Sequence, residues 1–373
     1  MSDRTAEFET KRQAVVAYLR QHGLDGVVLS RRPNFAWLTA GGSNHVSFGT
    51  DVGVAALFVT TETTYCVTST IEAPRIADEE LAGLPIQIRS FAWHDAADAN
   101  RVWTELLDGL RVACDTPVGL PAGVAPLSSD FDQLRWSLCA GEIDRYRALA
   151  REVADALENA CRAARRGMTE FELGGAIAGP LLQRGIRAPV VLVAADDRIA
   201  RYRHPIPTLR KFERYGMGVC SAERHGLYVS VTRLFSFGPI DDELRRRHEA
   251  VCTVDAEIMA ATRPGATLGE VFGVAQEAYA RTGFPDEWQA HHQGGPTGYV
   301  GREARATPGS PLTVRANQAF AWNPSIAGTK SEDTILVTDS GTEILSATGN
   351  WPTRPYTAGG RTWHRNDILQ LPA

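Results

Sequence analysis

Three imidazoles and one anion grip stand out among the residues of this chain. His204 lies in Arg201-Tyr202-Arg203-His204-Pro205-Ile206-Pro207-Thr208, and two more imidazoles sit in Gln289-Ala290-His291-His292-Gln293-Gly294-Gly295. An unperturbed imidazole titrates near neutral pH, which suits it to general acid and base work. Arg302, in Tyr299-Val300-Gly301-Arg302-Glu303-Ala304, presents a planar fork of donors that can hold a carboxylate through two parallel hydrogen bonds. The competing role for Arg302 is an ion pair with Glu303 or Glu332 that braces the fold. Glu332, in Lys330-Ser331-Glu332-Asp333-Thr334, offers an acid that would raise the pKa of a nearby His204 and hold its orientation. His204, His291 and Glu332 together would also make a metal site, because two histidines and a carboxylate bind zinc or iron. Cys220 would be a nucleophile beside His204 only with a lowered pKa, and nothing in the sequence signals one.

Those residues need a scaffold, and the chain is long enough to build more than one core. It has 373 residues, of which 43% are hydrophobic, ample for two domains. A net charge of −5 leaves no basic footprint for nucleic acid, and Arg245-Arg246-Arg247 reads as a solvated helix face. The six cysteines form neither a disulfide framework nor a Cys-x-x-Cys zinc spacing, so a reducing cytoplasm is the expected location. No apolar signal core and no long apolar run is found, and neither secretion nor membrane spanning is expected. The pattern predicts a helix over 8–21, strands over 26–30, 52–60, 64–67 and 86–91, and a helix over 96–110, an α/β layer domain. The domain boundary is expected near Ser137 to Gly141, giving domains 1–138 and 139–373.

The second domain carries an internal repeat. A helix ending at Ala163-Ala164-Arg165-Arg166-Gly167 is followed by Thr169-Glu170-Phe171-Glu172, and one ending at Ala261-Thr262-Arg263-Pro264-Gly265 is followed by Thr267-Leu268-Gly269-Glu270. Each unit reads as helix, glycine stop and capping box: the Thr hydroxyl satisfies an orphan amide of the next helix and the Glu reaches back. Both second helices end near an arginine closely followed by glycine, at Arg184-Gly185 and Arg281-Thr282-Gly283.

Gly226-Leu227-Tyr228-Val229-Ser230-Val231-Thr232-Arg233-Leu234-Phe235 resembles the strand hairpin, ending in Asp-x-Thr-Arg-x-Phe, of the creatinase/prolidase/methionine aminopeptidase family. Lys330 to Thr338 resembles that family's closing strand, and Asn34-Phe35-Ala36-Trp37-Leu38-Thr39-Ala40-Gly41-Gly42 its N-terminal domain. The resemblance implies an α+β fold: a C-terminal pita-bread domain with pseudo-twofold repeat and the active site between its halves, preceded by a smaller α/β N-terminal domain. It also implies two metal ions held by two aspartates, one histidine and two glutamates. Here Ser230 stands at the second aspartate, Val219 (Cys220 if the register slips by one) at the first, Gly295 at the histidine and Asn323 at the penultimate glutamate. Only Glu332 keeps its carboxylate. An amide, a hydroxyl and one carboxylate are not expected to hold a metal pair, so no cofactor is expected.

Within the family the chain is similar to the metal-free creatinase branch. That likeness implies a proton-shuttling role for His204, and a substrate-carboxylate role for Arg302 in a Tyr-x-Gly-Arg-Glu-Ala stretch beginning at Tyr299. Asn323 and Thr232 fall at or near places where creatinase has glutamates that hold a guanidino group, so creatine is not the expected substrate. His291 matches a family histidine four residues before the ligand histidine. On a strand adjacent side chains point to opposite faces, so His291 and not His292 is expected in the pocket. The expected function is a metal-independent hydrolase cleaving a C–N bond in a small carboxylated molecule, with His204 and Glu332 catalytic and Arg302, His291, Asn323, Thr232 and Tyr299 lining the substrate. The alternatives are a metal-dependent Xaa-Pro aminopeptidase or dipeptidase with its ligands elsewhere, although 217–234 offers only Glu223, and a noncatalytic small-molecule or protein-binding relative. A homodimer is implied, with the N-terminal domain capping the partner's site through Gly41-Gly42-Ser43-Asn44-His45. No nucleic-acid or membrane partner is expected.

Overall fold

Phe8, Val15 and Leu19 are fully buried on α1 (Arg4–His22), at helical spacings that put all three on one face. In the computed structural model, which describes residues 4–372, the next element is β1 (Gly26–Arg31), buried from Gly26 to Ser30. Short α2 (Arg32–Leu38) carries Pro33 in its first turn, where a missing N–H loses no helical hydrogen bond. Then come β2 (Val52–Thr60), β3 (Thr64–Ser69), α3 (Ala73–Arg75), β4 (Gln87–Phe91), α4 (Ala96–Leu107), β5 (Val112–Cys114) and β6 (Ala125–Pro126). The sheet order is β4-β3-β2-β1-β5-β6, so the most apolar strand sits inside. Gly26 is needed there because a Cβ would lie 2.6 Å from the Phe58 ring. Val28, Phe58, Val67, Val102 and Trp103 pack as one cluster.

The chain divides into two units. One is built from 4–135 with 139–142 and 225–227, the other from 136–138, 143–224 and 228 onward. The second unit holds most of the long helix α5 (Ala140–Arg162), followed by α6 (Glu170–Leu182), β7 (Arg187–Ala195), α7 (Asp197–Arg201), β8 (Tyr215–Arg224) and most of β9 (Leu227–Phe237). Its second half runs through α8 (Asp242–Ala261), α9 (Leu268–Arg281), β10 (Gly294–Thr297), β11 (Gln318–Trp322), β12 (Ser325–Ile326), β13 (Thr329–Lys330) and β14 (Asp333–Thr338). Closing the fold are β15 (Gly341–Ile344), the hairpin of β16 (Thr353–Ala358) and β17 (Arg361–Asn366), and β18 (Leu369–Leu371).

The repeat is physical. Both capping boxes form, Thr169 with Glu172 and Thr267 with Glu270. The loop before each helix makes the same backbone pattern: Gly167 donates to Phe212 and Glu170 to Arg210 in one half, Gly265 to Val314 and Leu268 to Leu312 in the other. Each helix then closes with a six-to-one bond around a left-handed glycine, Ile186 to Leu181 past Gly185 and Phe284 to Tyr279 past Gly283. The halves yield sheets of order β18-β9-β8-β7 and β10-β11-β14-β15. This is the α+β pita-bread arrangement behind an N-terminal α/β unit that the sequence implies. Among the described residues no helix is long and apolar enough to cross a membrane. The arginine run on α8 is not wholly solvated, because Arg245 turns to Asp367 while Arg246 and Arg247 pair with Glu243.

His248, buried on α8, holds Thr329 Oγ1 at 2.7 Å and the Asn366 carbonyl at 2.9 Å. Burial pushes its pKa from 6.5 down to about 4, against upward pulls from the hydrogen bond to the Asn366 carbonyl and then from Asp367. The unfolded chain takes up this proton near pH 6.5 and the folded one only near 4. Stability is therefore full above pH 6.5 and falls as pH drops through that window, by up to about 3 kcal/mol from this group. Urea midpoints measured from pH 7 to 4.5 are expected to fall less steeply in His248→Asn than in the parent; parallel slopes would contradict the assignment.

Candidate active site

Strand alternation puts Ser230 and Thr232 of β9 on one face and Arg233 on the other. On the first face, the Thr232 hydroxyl donates to Glu332 Oε2 at 2.6 Å, and Ser230 Oγ donates to Ser221 Oγ at 3.1 Å. The Thr232 amide donates to the Glu332 carbonyl at 3.2 Å, tying β9 to the residue just before β14. Arg302 reaches the same place, with Nη2 3.1 Å from Glu332 Oε1 and Nη1 3.2 Å from Ser230 Oγ. Lys330 Nζ lies 2.8 Å from Glu332 Oε2. Both carboxylate oxygens of Glu332 are thus held by protein cations and a hydroxyl. Burial alone would raise the pKa of Glu332, but Lys330 and Arg302 outweigh it and hold the acid down at about 2.

Beside this charged cluster stand three imidazoles. His204 Nε2 and His291 Nε2 are 3.1 Å apart. His291 and His292 stack at 4.5 Å between centroids, and the His204 and His292 rings are 5.9 Å apart. The expectation that only one of the neighbouring pair would enter the site is overturned. Residues 291 and 292 lie in a bend between the turn at Glu287–Ala290 and β10, outside any strand, so strand alternation does not apply to them. Burial and then the positive charge of Lys330 lower the pKa of His204, and the same two causes take His291 down to about 2. His292 falls to about 4 through burial and then Arg302. Each ring is thereby biased toward its neutral form.

The remaining sequence candidates lie on the flanking segments. Asn323 follows β11, its amide donating to the Gln293 carbonyl at 2.9 Å and its side-chain oxygen buried with no partner. Tyr299 is 1% exposed, with its amide donating to Glu303 Oε1 at 3.1 Å. Cys220 is fully buried and its thiol pKa is pushed up to about 12 by burial, which removes it as a nucleophile. Glu332 is bonded to Arg302 and Lys330 while His204 has His291 as its partner. Sequence reasoning gave Lys330 no role and set His292 outside the pocket. A signal for Lys330 was available, since it precedes Glu332 by two and extended chain turns such a pair to one side.

A metal pair of the kind the resemblance implies does not fit these residues. Val219 is an apolar residue of β8 paired with Leu192. Gly295 has φ +152°, and a Cβ there would lie 2.4 Å from the Ala304 carbonyl oxygen, so a histidine could not be placed without moving backbone. Asn323 brings no charge, and the one acid is already neutralised. Divalent ions in such sites need anionic oxygens.

The sequence profile of metallopeptidase family M24 matches residues 144–339. An uncharacterized peptidase of Staphylococcus saprophyticus is 28% identical over 125 residues, 31% of this chain and 35% of that protein. The match therefore spans about a third of that curated relative's length. In fold, a Xaa-Pro dipeptidase from Bacillus anthracis superposes with TM-score 0.75 at 17% identity over 99% of this chain and 100% of its own. The dipeptidase PepE from Mycobacterium ulcerans does so with TM-score 0.78 at 20% identity over 99% of both.

Proposed function

This chain belongs to metallopeptidase family M24, and from that premise we propose that it hydrolyses a C–N bond in a small, carboxylate-bearing, peptide-like substrate without the family's pair of metal ions. The observation that carries the proposal is the pairing of neutral imidazoles, His204 with His291 at 3.1 Å, beside the buried cationic cluster of Arg302 and Lys330 around Glu332. Arg302 Nε is a buried donor with no hydrogen-bond partner. A substrate carboxylate would satisfy it, and an unsatisfied charged donor is otherwise costly to bury. Glu332 fixes the guanidinium that makes this contact, and Thr232 fixes Glu332.

His204 is the exposed member of the imidazole pair and the one we assign to proton transfer. As water adds to the scissile carbon, a C–O bond forms and the water proton passes to the His204 imidazole. The imidazolium then gives that proton to the departing nitrogen as the C–N bond breaks. One water is consumed, an acid and an amine leave, and the imidazole returns neutral. Asn323 and Tyr299 are assigned to the pocket lining. The two fold relatives are dipeptidases, which favours a dipeptide as substrate, and Xaa-Pro dipeptides belong in the first panel tested.

The test is mass spectrometry of chelator-treated protein incubated with Xaa-Pro dipeptides, other dipeptides and N-acyl amino acids. Consumption in metal-free buffer is expected. Arg302→Lys, which keeps the charge but loses the fork, is expected to raise KM about 10- to 100-fold, the equivalent of a charged hydrogen bond worth ~1.5–3 kcal/mol, with kcat changed less. Turnover that appears only when a divalent ion is restored would instead establish the metal-dependent dipeptidase reading.

A further inference from the structure

We propose that His204, His291 and His292 form a site for a single first-row divalent ion, zinc or a close analogue, built from ligands different from those of the family's metal pair. One ligand nitrogen from each residue lies within 4.8 Å of the others. The His204 and His291 Nε2 atoms are 3.1 Å apart. With Zn–N bonds of ~2.0–2.1 Å, two imidazoles on a tetrahedral ion sit roughly 3.3 Å from each other, so this pair needs almost no movement to share an ion. His291 is 8% exposed, and Nδ1 of both His291 and His292 is buried without a partner.

The segments that carry the rings are fixed before any ion arrives. Gln293, buried, donates to the His291 carbonyl at 2.5 Å and to the Trp288 carbonyl at 3.1 Å, and accepts from Tyr279 Oη at 2.8 Å. Arg203, next to His204, forms an ion pair with Glu287 in the turn before His291 and donates to Ser325 Oγ at 3.3 Å. That pair crosslinks the two segments presenting the imidazoles. Pro205 accepts from the Val193 amide at 3.2 Å, holding the far side of His204. Preorganisation of this kind orients metal ligands in known sites.

Two other arrangements are weaker. Glu332 could replace His292 as third ligand only by leaving Lys330, Arg302 and Thr232. A second cluster, Glu7, Cys139 and Glu142, already holds an internal cation, because Lys11 Nζ lies 2.7 Å from each of the two glutamates. Around the imidazoles, Lys330, Arg302 and Arg305 repel a dication and Glu332 attracts it. Affinity in the micromolar range is therefore expected, with an anionic or water ligand completing the shell. An ion there takes the lone pair with which His204 would accept a proton, so occupancy suppresses the turnover proposed above. The proposal goes beyond that hydrolytic reading and is tested by binding alone, so either can fail without the other.

The experiment is titration of the chelator-stripped full chain with Co2+ alone, read by visible absorption and by equilibrium dialysis. One equivalent with the visible bands of a low-coordinate nitrogen site, displaced by Zn2+, is expected. His204→Gln and His291→Gln should each weaken binding more than about 10-fold, since even outer-shell partners are worth about 10–100-fold in metal affinity. His94→Gln, an exposed histidine of the other unit, should change nothing. His204 is at the surface, so its variant folds even if the His291 variant does not. Absence of a saturable equivalent, or binding that survives His204→Gln unchanged, would overturn the proposal.

Discussion

Replacing His204 with alanine is expected to lower turnover by about 100- to 10,000-fold, the range of a positioned general acid or base, while the melting temperature moves by only ~1–2 °C. The separation of the two effects follows from burial. His204 is exposed and its ring meets two other imidazoles, so truncation removes little apolar contact and leaves no buried charge. His291 is the wrong residue for the same test: at 8% exposure its loss opens a cavity, and activity would fall with stability. The assay uses chelator-treated protein, so that a bound ion cannot mask the imidazole. A fall of many degrees in His204→Ala would make it a structural residue, and unchanged turnover would move proton transfer elsewhere in the cluster.

Local chemistry was legible in the letters. The capping boxes at Thr169 and Thr267 depend on contacts within one turn, and both formed. The strand expected over 52–60 coincides with β2 because its apolar run is short, β-branched and bounded by turns. The residues at the family's ligand positions were equally visible, since a valine or a glycine cannot coordinate wherever it lies. What escaped was set by pairing across long separations. The sequence offers Glu332 both His204 and Arg302 as partners, and only the folded chain brings Thr232 of β9, Arg302 from the segment after β10 and Lys330 of β13 to it together. The bend that turns both His291 and His292 toward His204 depends on Gln293 finding Tyr279, which no periodicity announces. The parallel addition of β18 to β9 is likewise a distant pairing made by a very short strand.

The same alternation that points Thr232 and Glu332 into the site points Arg233 and Asp333 away from it, and the largest stability loss is expected on that hidden side. Arg233, whose side chain is 0% exposed, lies 3.0 Å from Glu158 on α5 and 3.1 Å from Asp333. Asp333 in turn is 2.7 Å from Arg365 on β17, which is 2.7 Å from Asp255 on α8. Burial would raise the Asp333 pKa, but Arg233 and Arg365 outweigh it and keep the acid ionised. Removing that charge takes away the carboxylate the two guanidiniums share and leaves each with a single acid, Glu158 or Asp255, and breaking a buried ion pair in this way costs about 3–5 kcal/mol. Asp333→Asn is therefore expected to lower the urea unfolding free energy by that amount with an unchanged slope. Because Asp333 adjoins Glu332 and Arg233 adjoins Thr232, the variant should also loosen the grip on Arg302 and raise KM before it unfolds. A loss below ~1 kcal/mol, the scale of an exposed pair, would mean that apolar packing rather than this ionic frame sets the register on which the site depends.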